Sequence, residues 1–248
     1  MKVSNTLFRL LLGLLILLFV FVIHEYGHFT EFQKRGVPVQ EFSIGIGPAL
    51  YQYQYDAVLT ISLRAIPIMA YVAPTKEGGD LFFKEATTSD KITVSSAGVR
   101  NNFLAGWLAV FLLQCVGWRR GNISTVQLVR EVVVTPLKIV FRTIAFFVGC
   151  LTLGRINLTK RTLLSTGGVA PSKHMKWFIF LNIMFVFFNL APVPPLDGIR
   201  VFTPIFDTLG IHAHFSGMWG SVVLFVFIII SNVQYMRILE VDAEENPT

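Results

Sequence analysis

The residues with the clearest chemical potential form one short motif, His24-Glu25-Tyr26-Gly27-His28. On a helix, side chains four residues apart share one face, so His24 and His28 can bind one metal ion together. Glu25, one position further along, can accept a proton from a water molecule at that metal. The motif therefore predicts a zinc site that activates water.

A plainer interpretation is that these polar residues mark the point where a helix leaves the membrane. A boundary cluster, however, has no reason to adopt the spacing of a zinc site. Ionisable groups in or next to lipid are also costly, and they are functional by default. Both points favour the metal site.

A third metal ligand must come from elsewhere in the chain, because a catalytic zinc takes three protein ligands and keeps one position open. Asp197 is the candidate, since it follows a long apolar run in the stretch NLAPVPPLDG, which starts at Asn189. No other carboxylate is similarly placed at the end of an apolar run. The plainer alternative is a helix-terminating turn, which proline, aspartate and glycine favour.

The composition places these residues in a membrane, since 53% of the 248 residues are hydrophobic and 15% are charged. Apolar runs near the roughly 20 residues that cross lipid predict four transmembrane helices, at about 7–31, 103–118, 177–195 and 217–235. The first run continues into the motif without a small-residue cleavage site, which favours a membrane helix over a removable signal peptide. The net charge of +6 is spread over the loops without a nucleic-acid motif, so it predicts contact with the membrane surface and no nucleic-acid partner.

Two regions between the apolar runs predict other structures. Residues 40–73 are punctuated by glycine and proline and partly alternate in character, which predicts a β-hairpin, with pairing near 41–46 and 58–66. Residues 126–153 are apolar but carry four charged side chains and a proline. Because such a charge density is costly in hydrocarbon, this region predicts an interfacial amphipathic or re-entrant segment. The acidic tail, 237–248, is predicted to be disordered.

Counting the membrane crossings gives an independent check on the metal site. His24 lies about 26 Å from the start of its run at helical rise, near the far side of a ~30 Å hydrocarbon core. Asp197 lies at the corresponding end of the third run. The two ends can meet only if their helices are parallel, which one crossing at 103–118 achieves, provided that 126–153 does not cross.

The chain resembles the site-2 proteases, a family of intramembrane metalloproteases. The family pairs H-E-x-x-H on its first core helix with N-x-x-P-x-x-x-L-D-G on its third, and this chain has HEYGH and NLAPVPPLDG. FSIGIGP with AIPIMAYV resembles the family's membrane-associated β-hairpin, and AGVRNNF resembles its A-G-P-x-x-N-F. LSTGGV is similar to the stretch after the family's interfacial region, so the resemblance extends over nearly the whole chain.

The resemblance implies an α-helical membrane protein with a three-helix catalytic core, one further C-terminal span, a membrane-associated β-hairpin and an interfacial amphipathic segment, in a single domain over residues 1–236. It implies a set of site residues: His24, His28 and Asp197 as Zn²⁺ ligands, Glu25 as catalytic base, and Asn101 and Asn189 as substrate-binding groups. Two departures concern loop geometry: Met69-Ala70 stands where many members have paired glycines, and Val99 replaces a usual proline.

The implied function is zinc-dependent cleavage of transmembrane segments of single-pass membrane proteins, by metal-activated water and a glutamate base. The PDZ domain of many members is missing between the second and third runs, which implies control by a membrane partner protein or by prior cleavage of the substrate. Two alternatives stay open: an intramembrane zinc transporter or sensor, and a non-catalytic relative that binds membrane segments.

The expected location is the cell's inner (plasma) membrane, crossed several times, with the active site towards the cytosol. Lys34 and Arg35, just after the first run, agree with the positive-inside rule. The basic residues between the second and third runs oppose it.

Overall fold

A computed structural model describes residues 2–151, 166–191 and 196–208. Within these ranges the protein is mostly helical and has one small sheet. The elements in chain order are α1 (Lys2–Lys34), β1 (Val39–Gln54), β2 (Thr60–Pro74), α2 (Lys76–Glu85), α3 (Thr88–Ser95), α4 (Ala97–Arg119), α5 (Thr125–Leu151), α6 (Lys173–Asn189) and α7 (Asp197–Thr208). The predicted span at 217–235 and the acidic tail lie outside the described residues.

Two of these helices are long and apolar enough to cross a membrane, Leu10–Lys34 in α1 and Ala97–Arg119, which is α4. Their 25 and 23 residues correspond to about 38 and 35 Å at helical rise, against a hydrocarbon core of ~30 Å. They match the predicted spans at 7–31 and 103–118. The third predicted span, 177–195, is helical as far as Asn189 in α6, and residues 192–195 are not among those described.

The described residues form two compact units, 2–102 with 188–191 and 196–208, and 103–151 with 166–187. In the second unit, α4 and α5 form a helical hairpin, since Trp118 Nε1 donates to Thr125 Oγ1 at 3.1 Å across the turn. Farther along, Gln114 Nε2 donates to Thr135 Oγ1 at 2.9 Å. The predicted interfacial segment is therefore a helix, and its location on the membrane stays a prediction.

The two faces of α5 differ in character. Glu131 lies on the buried face, where Lys138 Nζ donates to its carboxylate at 3.0 Å. Valines and a leucine lie on the exposed face, at positions 126, 129, 133 and 137. The charge of Glu131 is thus neutralised inside the unit, as a buried carboxylate requires.

The first unit contains the predicted β-hairpin, formed by β1 and β2 as an antiparallel pair. β1 bends at Gly45 and Gly47, whose φ angles of 92° and 83° favour glycine. Residues 41–44 consequently lie opposite two parts of β2, residues 70–73 and residues 60–63. The bend places residues 60–63, close to the tip of the hairpin, beside residues 41–44 at its base.

Six buried apolar side chains join the hairpin and α3 to the end of α1. They are Phe32, Val37, Val39, Phe42, Leu59 and Val94. Each large apolar side chain that leaves water contributes roughly 1.5–3 kcal/mol. This cluster fixes the hairpin and α3 beside the turn of α1 that follows the HEYGH motif.

Candidate metal centre

His24 and His28 lie one turn apart on α1, with 4% and 9% of their surface exposed. Their Nε2 atoms are 3.3 Å apart. Asp197, the first residue of α7, places Oδ2 at 2.8 Å from Nε2 of His24 and at 3.0 Å from Nε2 of His28. The structure therefore brings together the three residues that the sequence predicts as metal ligands, although 169 residues separate the nearer pair in the chain.

The opposite ring nitrogens are each held by a hydrogen-bond acceptor. Nδ1 of His28 donates to the carbonyl oxygen of Val94 at 2.8 Å, and a carbonyl oxygen can only accept. Nδ1 of His24 donates to Oδ1 of Asn102 at 3.0 Å, while Nδ2 of Asn102 donates to the carbonyl of Val20 at 3.4 Å. Each Nδ1 therefore carries the ring proton, and each Nε2 presents a lone pair.

This tautomer assignment leaves three acceptor atoms, two Nε2 and one carboxylate oxygen, within 2.8–3.3 Å of one another. A cation satisfies all three. Ligand atoms at about 2.0–2.1 Å from a tetrahedral zinc lie roughly 3.3 Å apart, close to the observed separations. Two histidines and one carboxylate also leave one zinc position open. His24, His28 and Asp197 can therefore hold a zinc ion.

Two glycines allow α1 and α4 to approach each other at this centre. A Cβ atom on Gly98 would lie 2.4 Å from Nε2 of His24, and a Cβ atom on Gly27 would lie 2.4 Å from the carbonyl oxygen of Ala97. Any larger residue at either position must displace the histidine ring or the backbone. The start of α4 is thus in close contact with the metal-binding turn of α1.

Asp197 is positioned by the packing of α7. This helix packs against α3, and the Arg200 guanidinium lies 5.1 Å from the centroid of the Phe83 ring. Leu196, just before the aspartate, is buried. A carboxylate in the first turn of a helix is also favoured by the helix dipole.

Glu25, the predicted base, is half-buried beside the two histidines. Its Oε2 accepts a hydrogen bond at 3.1 Å from the backbone N–H of Val72 on β2. The hairpin therefore orients the carboxylate, and Oε1 is the oxygen available to a proton.

The two predicted substrate-binding asparagines lie in different elements. Asn101 donates from Nδ2 to the carbonyl of Ile23 at 3.2 Å, and Asn189 is the half-buried last residue of α6. Their role in substrate binding stays a prediction.

Sequence reasoning missed Asn102, the asparagine that contacts His24 and is fully buried. The signal was present, because in the pattern A-G-P-x-x-N-F the asparagine directly precedes the phenylalanine. In AGVRNNF that residue is Asn102, before Phe103.

A candidate membrane helix carries two histidines and a glutamate, and an aspartate from a distant helix completes a three-ligand centre. These are the features of a membrane metallohydrolase. Residues 12–231 match the sequence profile of peptidase family M50. The chain belongs to this family, that of the site-2 proteases, as its motifs predicted. The family is zinc-dependent, so the predicted Zn²⁺ cofactor is confirmed.

Individual relatives agree with this membership. The membrane metalloprotease ARASP of Arabidopsis thaliana, a chloroplastic protein, is 33% identical over 101 residues, which are 38% of this chain and 22% of the relative. A protein named as a zinc metalloprotease in Synechocystis is 34% identical over 119 residues, 45% of this chain and 30% of the relative. Another protein named as a zinc metalloprotease, from Fusobacterium nucleatum, is 32% identical over 116 residues, which are 44% of this chain and 33% of the relative. Each match thus spans a third or less of the relative's own length.

Proposed function

We propose that this chain is a zinc-dependent intramembrane endopeptidase that cleaves transmembrane segments of single-pass membrane proteins. The observation that carries the proposal is the convergence of His24 Nε2, His28 Nε2 and Asp197 Oδ2 within 3.3 Å. The two histidines belong to α1, which is itself a candidate membrane span. A hydrolytic centre on such a helix is placed to act on peptide bonds inside the membrane.

In this proposal, His24, His28 and Asp197 hold the zinc ion, which when bound supplies Lewis acidity that activates water and polarises a carbonyl group. Glu25 takes the proton from the water on Oε1, while the amide of Val72 keeps Oε2 in place. The water oxygen bonds to the carbonyl carbon, the C–N bond breaks, and Glu25 delivers this proton to the leaving amine. The fixed carboxylate supports this role, since a base must be held within hydrogen-bond reach of its proton.

The outer edge of β2 is the proposed binding site for the substrate backbone. The amide of Val72 donates to Glu25, so at this residue the N–H of β2 points away from β1. A transmembrane helix satisfies its own backbone hydrogen bonds, so it must unwind before cleavage. Because the N–H of Val72 is already bonded to Glu25, an unwound segment can add as a strand to the edge of β2 on either side of Val72, which brings its amides alongside Glu25. Asn101 and Asn189 are the proposed polar contacts of this segment.

The proposed membrane arrangement has α1, α4 and α6 as the three core helices and a further span at 217–235. The protein then crosses the inner (plasma) membrane several times, with Glu25 near the cytosolic side. The basic pair Lys34-Arg35 at the end of α1 supports this orientation. A regulatory membrane partner remains part of the proposal.

The test compares the wild type with Glu25→Gln in membranes, by quantifying single-pass membrane fragments that accumulate when cleavage stops. We expect fragments to accumulate with Glu25→Gln while the purified variant retains zinc. Tyr26→Phe is the matched control, because Tyr26 belongs to the same motif but its side chain is exposed, and it should behave as the wild type.

The result against the proposal is an identical fragment profile for the wild type and Glu25→Gln. Zinc flux through liposomes that contain the wild type would instead indicate a transporter. Capture of membrane segments without cleavage would indicate a non-catalytic relative.

A further inference from the structure

Both imidazoles of the metal centre depend on segments outside α1. The His28 ring is held by the carbonyl of Val94, one residue before the end of α3. The His24 ring is held by Asn102, in the second turn of α4. Such partners orient metal-binding rings and fix their tautomers. The direction of both Nε2 atoms thus depends on where α3 ends and where α4 begins.

Glu31 ties α1 to the start of α4. This residue lies one helical turn after His28, and its Oε1 accepts a hydrogen bond from Nη2 of Arg100 at 2.9 Å. Arg100 precedes Asn102 by two residues on α4. The ion pair therefore anchors the same turn of α4 that presents Asn102 to His24.

Glu31 also ties α1 to α3, through Arg35. Its Oε2 accepts from Nη1 of Arg35 at 2.5 Å, and Nε of Arg35 donates to Oδ1 of Asp90 at 2.9 Å. Asp90 lies one turn before Val94 on α3. This chain of two ion pairs anchors the helix whose carbonyl holds His28.

Glu31 is the most buried member of this group of charged residues, which also contains Lys34, Arg35 and Arg100. Its side chain is 4% exposed, whereas the side chains of Lys34, Arg100 and Arg35 are 65%, 43% and 21% exposed. A buried carboxylate is stable only while it is paired, but the exposed cations of Lys34 and Arg100 remain hydrated when it is removed. Arg35, which is less exposed, keeps its ion pair with Asp90. Replacing Glu31 by glutamine therefore releases α3 and α4 without leaving a buried charge.

We infer that Glu31 is a positioning residue for the metal centre. By holding α4 through Arg100 and α3 through Arg35 and Asp90, it sets the orientation of both imidazoles. The inference rests on the proposed function, because it takes His24 and His28 as zinc ligands.

The test measures metal binding by the purified full chain in detergent. Metal-free protein is titrated with Co²⁺, whose visible absorption reports ligand geometry, and then with Zn²⁺ in competition with a chelator. We expect Glu31→Gln to weaken Zn²⁺ binding roughly 10–100-fold, the usual effect of losing the support of a ligand, and to change the Co²⁺ spectrum. Arg100→Gln and Asp90→Asn should each produce part of this loss. Arg100→Lys, which keeps a cation beside Glu31, should retain most of the wild-type affinity for Zn²⁺.

Glu131→Gln is the matched control. Glu131 is also buried, with a side chain 5% exposed, and paired with a lysine at 3.0 Å, but it belongs to the other compact unit. We expect Glu131→Gln to lower thermal stability while Zn²⁺ affinity and the Co²⁺ spectrum stay at wild-type values.

The two proposals fail in different ways. Wild-type affinity and spectrum in Glu31→Gln, or an equal loss in Glu131→Gln, would overturn the positioning role alone. A wild-type protein that binds Zn²⁺ but cleaves no membrane segment would overturn the proposed function alone.

Discussion

The backbone N–H of Val72 donates a hydrogen bond to Oε2 of Glu25 at 3.1 Å and so joins the edge of the hairpin to the proposed catalytic base. A hydrogen bond to an ionised group contributes roughly 1.5–3 kcal/mol. Because the donor belongs to the backbone, any side chain at position 72 preserves it except proline. The proposed substrate-binding edge and the proposed base thus share one contact.

Val72→Pro should remove this contact and lower the cleavage rate roughly 10–150-fold, the range that the loss of about 1.5–3 kcal/mol implies. The pairing with β1 should survive, since the N–H of residue 72 points away from that strand and proline is tolerated at an edge. Zinc content should also stay unchanged, because the lost hydrogen bond is to Glu25, which is not one of the proposed metal ligands. The measurement is the cleavage rate against bound zinc, with Val72→Ala as the control that retains the N–H. Equal rates for the proline and alanine variants would contradict this role of the amide.

Sequence patterns predicted those features that depend on local periodicity. The four-residue spacing of His24 and His28 needs only a helix, and the apolar run before them supplies it. Asp197 could be named because its position after an apolar run is unusual for a carboxylate. The structure places its Oδ2 atom 2.8 Å from Nε2 of His24, a distance that the sequence alone does not give.

Local periodicity alone does not predict features that depend on the rotation of a helix or on long-range pairing. Successive helical residues point about 100° apart. The neighbours Asn101 and Asn102 therefore have different partners: Asn101 bonds to the Ile23 carbonyl, and Asn102 bonds to the His24 ring. The pair Glu31–Arg100 joins residues 69 apart in sequence, and no local pattern marks it. Alternation likewise predicted a hairpin, but not that residues 41–44 pair with two parts of β2.

Gly98→Ala should abolish zinc binding under conditions that saturate the wild type. The new methyl group would lie 2.4 Å from Nε2 of His24, so the ring must move away from the other ligands. Alanine is more favourable in a helix than glycine by about 1 kcal/mol. A loss of helical propensity therefore cannot explain the defect. The measurement is the zinc-to-protein ratio after purification.

The matched control for Gly98→Ala is Gly106→Ala in the same helix. There the new Cβ would lie 3.4 Å from the nearest heavy atom, an ordinary contact, and zinc content should be normal. A normal ratio in Gly98→Ala, or an equal loss in both variants, would show that close packing at His24 is unimportant.

The bent hairpin should loosen in acid because of Glu41. Partial burial raises the pKa of Glu41, but the hydrogen bonds from Ser62, Arg64 and Tyr71 together lower it by more. The pKa of Glu41 therefore lies below its usual value near 4.5. A lowered pKa in the folded state means that the carboxylate stabilises the hairpin above pH 4.5 and that this stability is lost as the pH falls through the folded-state pKa.

Hydrogen–deuterium exchange of residues 60–74, corrected for intrinsic rates, tests this expectation. Exchange in the wild type should accelerate below pH 4.5. Glu41→Gln should exchange faster than the wild type at pH 7 and change less with acid. A wild-type acid response in Glu41→Gln would assign the effect to another group.

Removal of zinc should lower the thermal stability of the wild type. A ligand that binds the folded state alone stabilises it by RT ln(1 + [L]/Kd), which is about 4 kcal/mol at a thousandfold excess over Kd. Chelation also leaves three acceptor atoms within 3.3 Å of one another, with no cation to separate them. The measurement is the unfolding temperature in detergent, with and without chelator, followed by zinc addition to restore it.

His28→Ala should show no zinc-dependent shift in the unfolding temperature, because two ligands hold zinc weakly. A chelator effect of the same size in His28→Ala would place the stabilising metal elsewhere in the chain.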